Sequence, residues 1–222
     1  MLFCHPESDA KGARHKGLGK QLGITGLPGI AFLTADGEVV VQIPASRHSV
    51  AQFTQYAARA RQLLAWRAAA ADGEPRAAAA LLIARLEERQ VDRQGALTAR
   101  AQLRDETDAE RARLDELLLD RRIESELQAV HDDAAARRQL GARYRAMLRD
   151  GPRPSAAVTR GFWFVILEHA EATRDADAFA AGLDGLRANL ARTGDGEPWA
   201  VKLLAENERK LAALRGRATP KV

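Results

Sequence analysis

Cysteine is nearly absent from this chain, because Cys4 is the one cysteine among 222 residues. A disulfide within the chain and a zinc site built on cysteine each need more thiols than that. A cycle between dithiol and disulfide also needs two thiols, so the sequence as given cannot complete one alone.

The histidines form no recognisable metal-binding pattern either. None pairs with another histidine or with a carboxylate at ligand spacing; the five are His5, His15, His48, His131 and His169. A weak cation site at 131–133 is the alternative, but helix capping explains the aspartates there more simply. We therefore expect no metal site and no cofactor.

Long apolar runs are missing as well. No stretch approaches the 18 apolar residues of a membrane helix, which predicts no membrane span. The first residues show neither the basic nor the apolar region of a signal peptide. As given, the sequence fits a cytoplasmic protein, with export left open if the true N-terminus lies upstream.

A strong excess of one charge is also lacking. The net charge is +4, and basic and acidic residues alternate along helical segments such as 85–89 and 120–124. Mixed signs at this spacing are typical of solvated helix faces rather than of a nucleic-acid surface. The C-terminal segment 209–221 contains no acidic residue, which leaves nucleic-acid association as a third and weaker possibility. We expect a protein or peptide partner and no nucleic acid.

The most informative segment is 23–41. Glycines surround Leu27 and Pro28, and they place a flexible backbone next to a fixed φ. Two apolar runs, 30–33 and 39–41, are too short for helices and predict strands. Asp36-Gly37 between them is a strong hairpin signal.

A helix is predicted directly behind this hairpin. Ser49 and Gln52 have the spacing of a capping box, and the apolar residues that follow recur at helical spacing to about Ala71. The order is therefore a proline loop, two strands joined by a tight turn, and an amphipathic helix.

This order resembles the C-terminal half of a thioredoxin-like domain, over roughly residues 1–66. The resemblance implies a cis Pro28, and it implies that Gly26, Leu27 and Pro28 shape the groove that receives substrate backbone. The family's Cys-x-x-Cys would lie upstream of this region and is not in the sequence. Cys4, beside His5, is a weak candidate for a reactive thiol, and an ordinary strand residue is the favoured interpretation.

The rest of the chain is predicted to be helical. The expected domains are a partial thioredoxin-like domain over 1–72, an α-helical domain over 75–216 and a disordered tail over 217–222. Ser155 is expected to cap a helix whose centre, 162–167, is apolar on every side and therefore buried. Two helix pairs, within 81–103 and 164–186, resemble tetratricopeptide-type hairpins, and a compact irregular bundle is the alternative.

The predicted fold class is thus α/β plus all-α. Two functions fit it. The first is a thioredoxin-like family protein, either an N-terminally truncated thiol–disulfide oxidoreductase or a redox-inactive relative. The second is a non-catalytic protein-interaction scaffold built on helical hairpins.

Overall fold

The computed structural model describes residues 2–5, 29–43, 49–193 and 198–217. Over these residues the chain is mostly helical and forms a three-stranded antiparallel sheet followed by eight helices. The strands are β1 (Leu2–His5), β2 (Gly29–Leu33) and β3 (Val39–Ile43). The helices are α1 (Val50–Ala71), α2 (Pro75–Glu87), α3 (Arg93–Arg100), α4 (Asp108–Ala129), α5 (Ala134–Asp150), α6 (Arg160–Thr173), α7 (Ala176–Thr193) and α8 (Pro198–Arg217).

The chain divides into two compact units, Met1–Arg111 and Ala112–Val222. The division falls within the first turn of α4. The boundary that the sequence predicts near residue 72 stays a prediction, and of the predicted tail only Arg217, the last residue of α8, lies within the described residues.

The predicted hairpin joins β2 to β3. The amide of Gly37 donates to the carbonyl of Thr34 at 3.2 Å, and the amide of Thr34 donates to the carbonyl of Glu38 at 2.9 Å. Gly37 has a φ of +85°, a left-handed conformation that costs glycine little. The Asp36-Gly37 signal is confirmed.

The pairing of β2 with β3 contains an irregularity at Val40. Phe32 lies opposite Val41 and Leu33 opposite Val39, so Val40 is an additional residue without a partner on β2. Such a bulge bends a strand locally and redirects its main-chain groups. The bulge therefore lies where β3, an outer strand of the sheet over the described residues, pairs with β2.

The capping box at the start of α1 is also confirmed. The amide of Gln52 donates to the hydroxyl of Ser49 at 3.3 Å, and the amide of Ser49 donates to the side-chain oxygen of Gln52 at 3.3 Å. The helix packs against β3 and α2 around a small core. The core consists of Val40, Val41, Ala60, Leu63 and Ala84.

In the second unit, helices that follow one another in sequence pack in pairs: α5 with α6, α6 with α7, and α7 with α8. The apolar helix α6 contributes to two clusters, through Val165 and Ile166 to one and through Leu167 and Ala170 to the other. The predicted burial of its centre is confirmed for Phe162 and for 165–167, whereas Trp163 and Phe164 are partly buried.

The predicted cap at Ser155 is wrong. Helix α6 begins at Arg160 after Thr159, and Ser155 lies in the preceding turn, where its Oγ accepts the amide of Ala157 at 2.9 Å. The cause is the carboxylate of Asp120 on α4, which accepts both the amide and the hydroxyl of Ser155, the amide at 3.0 Å. A contact across 35 positions of sequence has therefore replaced a local cap.

Candidate functional site

The site residues predicted from the sequence are placed only in part. Gly26, Leu27 and Pro28 lie outside the described residues, so the groove and the cis proline stay predictions. Cys4 lies in β1, in register opposite Ile30 of β2. Its role as a weak candidate thiol is likewise a prediction.

The histidine-aspartate segment at 131–133 caps a helix. Asp133 accepts the amides of Ala135 and Ala136 at 2.8 and 2.9 Å, at the start of α5. These hydrogen bonds hold the pKa of Asp133 below its ordinary value. Within the described residues, no three His, Cys, Asp or Glu side chains are grouped as a metal site requires.

A cleft in the first unit is the best candidate for a binding site. It has a volume of about 540 Å³ and lies between the hairpin, α1 and α2; we call it the hairpin cleft. Its apolar wall comes from the start of β3, the middle of α1 and the middle of α2. These apolar residues are Val39, Val40, Leu63, Leu64 and Leu81.

The polar residues of the hairpin cleft come from four separate segments. Glu38 follows the hairpin turn, Arg67 is on α1, Arg85 is on α2, and Gln90 lies just beyond the end of α2. The side-chain amide of Gln90 donates to the carbonyl of Val40 at the bulge. This hydrogen bond supplies a donor to the carbonyl of Val40, which has no partner on β2.

The backbone at the end of α2 aims Gln90 at the sheet. Arg89 has a φ of +57°, and the next amide, of Gln90, donates to the carbonyl of Arg85 at 2.8 Å. A left-handed residue followed by this hydrogen bond is a common way to end a helix. Glycine usually occupies that position, so the left-handed conformation of Arg89 is somewhat strained.

The cleft contains more positive than negative charge. Arg67 forms an ion pair with Glu38, in which both side chains are more than half exposed. Chiefly through its hydrogen bond, Arg67 lowers the pKa of Glu38, and Arg85 lowers it further by a smaller, longer-range attraction. Arg85 itself forms no ion pair with any residue of the described ranges.

Arg59 fixes the two helices that flank the cleft. From α1 its guanidinium reaches Glu87 at 3.1 Å and Glu88 at 3.4 Å, at the end of α2. The same guanidinium lies 5.6 Å from the ring centre of Trp66. Each contact is worth about 1 kcal/mol or less at this exposure, so these contacts add to the apolar packing of α1 on α2.

The cleft combines hydrogen-bond donors with an apolar surface. Guanidinium and amide donors beside an apolar wall recognise a carboxylate attached to an apolar group.

No family model, no curated protein and no solved structure matches this chain. In the ranges described, no helix combines the length and the apolar character that crossing a bilayer requires.

Sequence reasoning missed the hairpin cleft. The charged residues of the cleft share no motif. Glu38 and Arg67 are 29 positions apart, and Arg67 and Arg85 are 18 positions apart. The segment 85–89 was expected to be a solvated helix face, and Arg85 is indeed exposed. A sequence pattern carries no signal that distinguishes an arginine beside a cleft from one on an open helix face.

Proposed function

We propose that this chain is a protein-interaction scaffold and that the hairpin cleft binds a peptide segment of its partner. The observation that carries the proposal is the cleft itself, in which a partly exposed apolar wall is surrounded by hydrogen-bonding and cationic side chains. Leu64 is 40% exposed in that wall. An apolar surface with a polar rim is a typical peptide-docking arrangement.

The helical hairpins are consistent with this role. Successive helices pack on one another in both units, as in proteins that stack helical pairs into binding scaffolds. Stability in such proteins comes from contacts between neighbouring helices, which leaves the outer faces free to vary. Membership of a tetratricopeptide-like group stays a hypothesis.

A selection from a random peptide display library against the full chain would test this proposal. Leu64→Arg would place a long cationic side chain in the cleft, so we expect selected peptides to lose binding to this variant. Leu97→Arg is the matched control, because Leu97 is 37% exposed on α3 and does not line the cleft. Peptides that bind Leu64→Arg as well as wild type, or a selection without enrichment, would contradict a binding role for the cleft.

A thiol–disulfide oxidoreductase of the thioredoxin-like family is the second candidate. What favours it is the order of elements: β2, a tight Asp36-Gly37 turn, β3 and the capped helix α1 follow one another as the resemblance implies. This function requires a Cys-x-x-Cys encoded upstream of Met1.

Translation of the upstream DNA followed by insulin reduction with dithiothreitol would test the second candidate. We expect activity from an extended chain that contains both cysteines and none after either is replaced by serine. An extended chain that contains the motif and remains inactive would identify a redox-inactive relative. An upstream frame without the motif would reject the oxidoreductase.

A further inference from the structure

We propose that the hairpin cleft selects an acidic peptide segment, in which an Asp or Glu carboxylate pairs with Arg85 and a neighbouring apolar side chain packs on Leu64 and Leu81. This inference rests on the proposed function and specifies the chemistry of the partner. The ligand is therefore a stretch in which acidic and apolar residues alternate.

Charge complementarity is the first support. The residues described as lining the cleft include two guanidinium groups, Arg67 and Arg85, and one carboxylate, Glu38. Glu38 forms its ion pair with Arg67, and within the described ranges Arg85 forms no ion pair and has only a longer-range attraction to Glu38. A carboxylate is the group that a guanidinium binds with two parallel hydrogen bonds.

The shape of the cleft favours a peptide over a small organic acid. Sites for small molecules enclose most of the ligand surface. Here Leu64 is 40% exposed, and the side chain of Arg67 is 56% exposed, so the cleft is open on the solvent side. A ligand in an open cleft needs contacts along an extended length, which a peptide chain supplies and a small acid does not.

The peptide is not expected to bind as an additional strand along β3. Gln90 already donates to the carbonyl of Val40 at the bulge, so strand addition there would have to break this hydrogen bond. Recognition through side chains leaves it intact. The peptide is therefore expected to be read by its carboxylate and its apolar side chains.

Binding of defined peptides to the isotope-labelled full chain, followed by amide NMR shifts, tests the inference. The probe is the capped peptide Gly-Leu-Glu-Val-Glu-Leu-Gly, compared with versions carrying glutamine or lysine in place of both glutamates. We expect the glutamate peptide to shift the amides of β3, α1 and α2, and to bind about fivefold more tightly than the glutamine peptide.

Arg85→Met is the decisive variant, because it keeps the length of the side chain and removes the charge. We expect it to abolish the preference for glutamate over glutamine and the weakening of binding by added salt. Arg61→Met is the matched control: Arg61 is exposed on α1 and does not line the cleft, so this variant should keep both properties. Unchanged amide spectra outside the cleft show that each variant is folded.

The other outcomes separate the two proposals. Equal binding of the three peptides, stronger binding of the lysine peptide, or a glutamate preference that survives Arg85→Met would overturn the acidic specificity and leave the scaffold function standing. If none of the three peptides shifts the amide signals of the cleft residues, the acidic specificity is overturned. If the display selection also fails, the scaffold function is rejected as well.

Discussion

At the scale of single residues, two aspartates have opposite environments. Burial raises the pKa of Asp120, and this outweighs the two hydrogen bonds from Ser155, which lower it. Asp133 is exposed, and amide hydrogen bonds from Ala136 and Ala135 lower its pKa. Desolvation is the largest cause of the raised pKa of Asp120, and the nearby carboxylates of Glu116 and Glu124 raise it further.

The shift at Asp120 predicts a specific dependence of stability on pH. A raised pKa means that the folded state holds the proton more tightly than the unfolded chain does. The contribution of protonated Asp120 to the stability of the fold is then fully present below the usual pKa of 3.8, and it is lost as pH rises through the raised pKa. Ionised Asp120 therefore opposes folding at neutral pH.

Replacing this carboxylate by an amide tests the effect. In Asp120→Asn the side-chain oxygen can still accept the amide of Ser155, and the added N–H₂ can donate to its hydroxyl. We expect the free energy of unfolding of the variant, relative to wild type, to increase as pH rises through the raised pKa. Urea denaturation at a series of pH values measures this difference.

Asp133→Asn is the matched control for that measurement, because its sign is opposite. The lowered pKa of Asp133 means a contribution that is present above 3.8 and is lost as pH falls through the lowered value. The free energy of unfolding of this variant, relative to that of wild type, should therefore decrease as pH rises. The same pH trend in both variants would contradict the assigned environments.

At the scale of elements, a glycine fixes the close approach of α5 and α6. A Cβ added at Gly141 would lie 2.0 Å from the carbonyl oxygen of Val165, which is backbone and cannot rotate away. Gly182 on α7 is less constrained, because the nearest atoms, at 3.2 Å, belong to the side chains of Ile166 and Leu167. The contact with backbone sets the spacing of this helix pair.

Gly141→Ala is therefore expected to destabilise the protein by about 2–3 kcal/mol, in spite of the higher helix propensity of alanine. Gly216→Ala is the matched control, since a Cβ at Gly216 on α8 meets nothing within 4 Å. It should change stability by less than about 1 kcal/mol, in the favourable direction. Equal effects of the two substitutions in urea denaturation would show that α5 and α6 do not approach as described.

At the scale of the whole molecule, each of the two units contains clusters of buried residues of its own among the residues described. One surrounds Val40, Val41 and Leu63 in the first unit, and two lie on either side of α6 in the second. Units with their own cores open by separate local transitions.

Hydrogen exchange of Gly141→Ala tests this independence. We expect faster exchange of protected amides in α5, α6 and α7, and unchanged exchange in α1 and α2, because the substitution weakens only the core that contains it. Mass spectrometry of peptic fragments after timed labelling gives the rate for each helix. Faster exchange throughout would mean that the chain unfolds as one cooperative unit.

Local signals account for what could be predicted of the fold. The hairpin at Asp36-Gly37 and the capping box at Ser49 and Gln52 depend on contacts within four residues, so a short sequence window contains all the interacting groups. The apolar run in α6 likewise predicted its burial. Ser155 shows the limit, because its partner Asp120 is 35 residues away.

The sequence by itself determined the hairpin at Asp36-Gly37 and the start of α1, since the hydrogen bonds of a turn and of a cap join near neighbours along the chain. Only the tertiary structure decided that Glu38, Arg67, Arg85 and Gln90 surround one cleft. Packing of α1 and α2 against β3 brings these residues together, and that packing depends on apolar burial, which has no direction of its own. The spacing of the charges around the cleft is therefore a property of the assembled unit and not of any one segment.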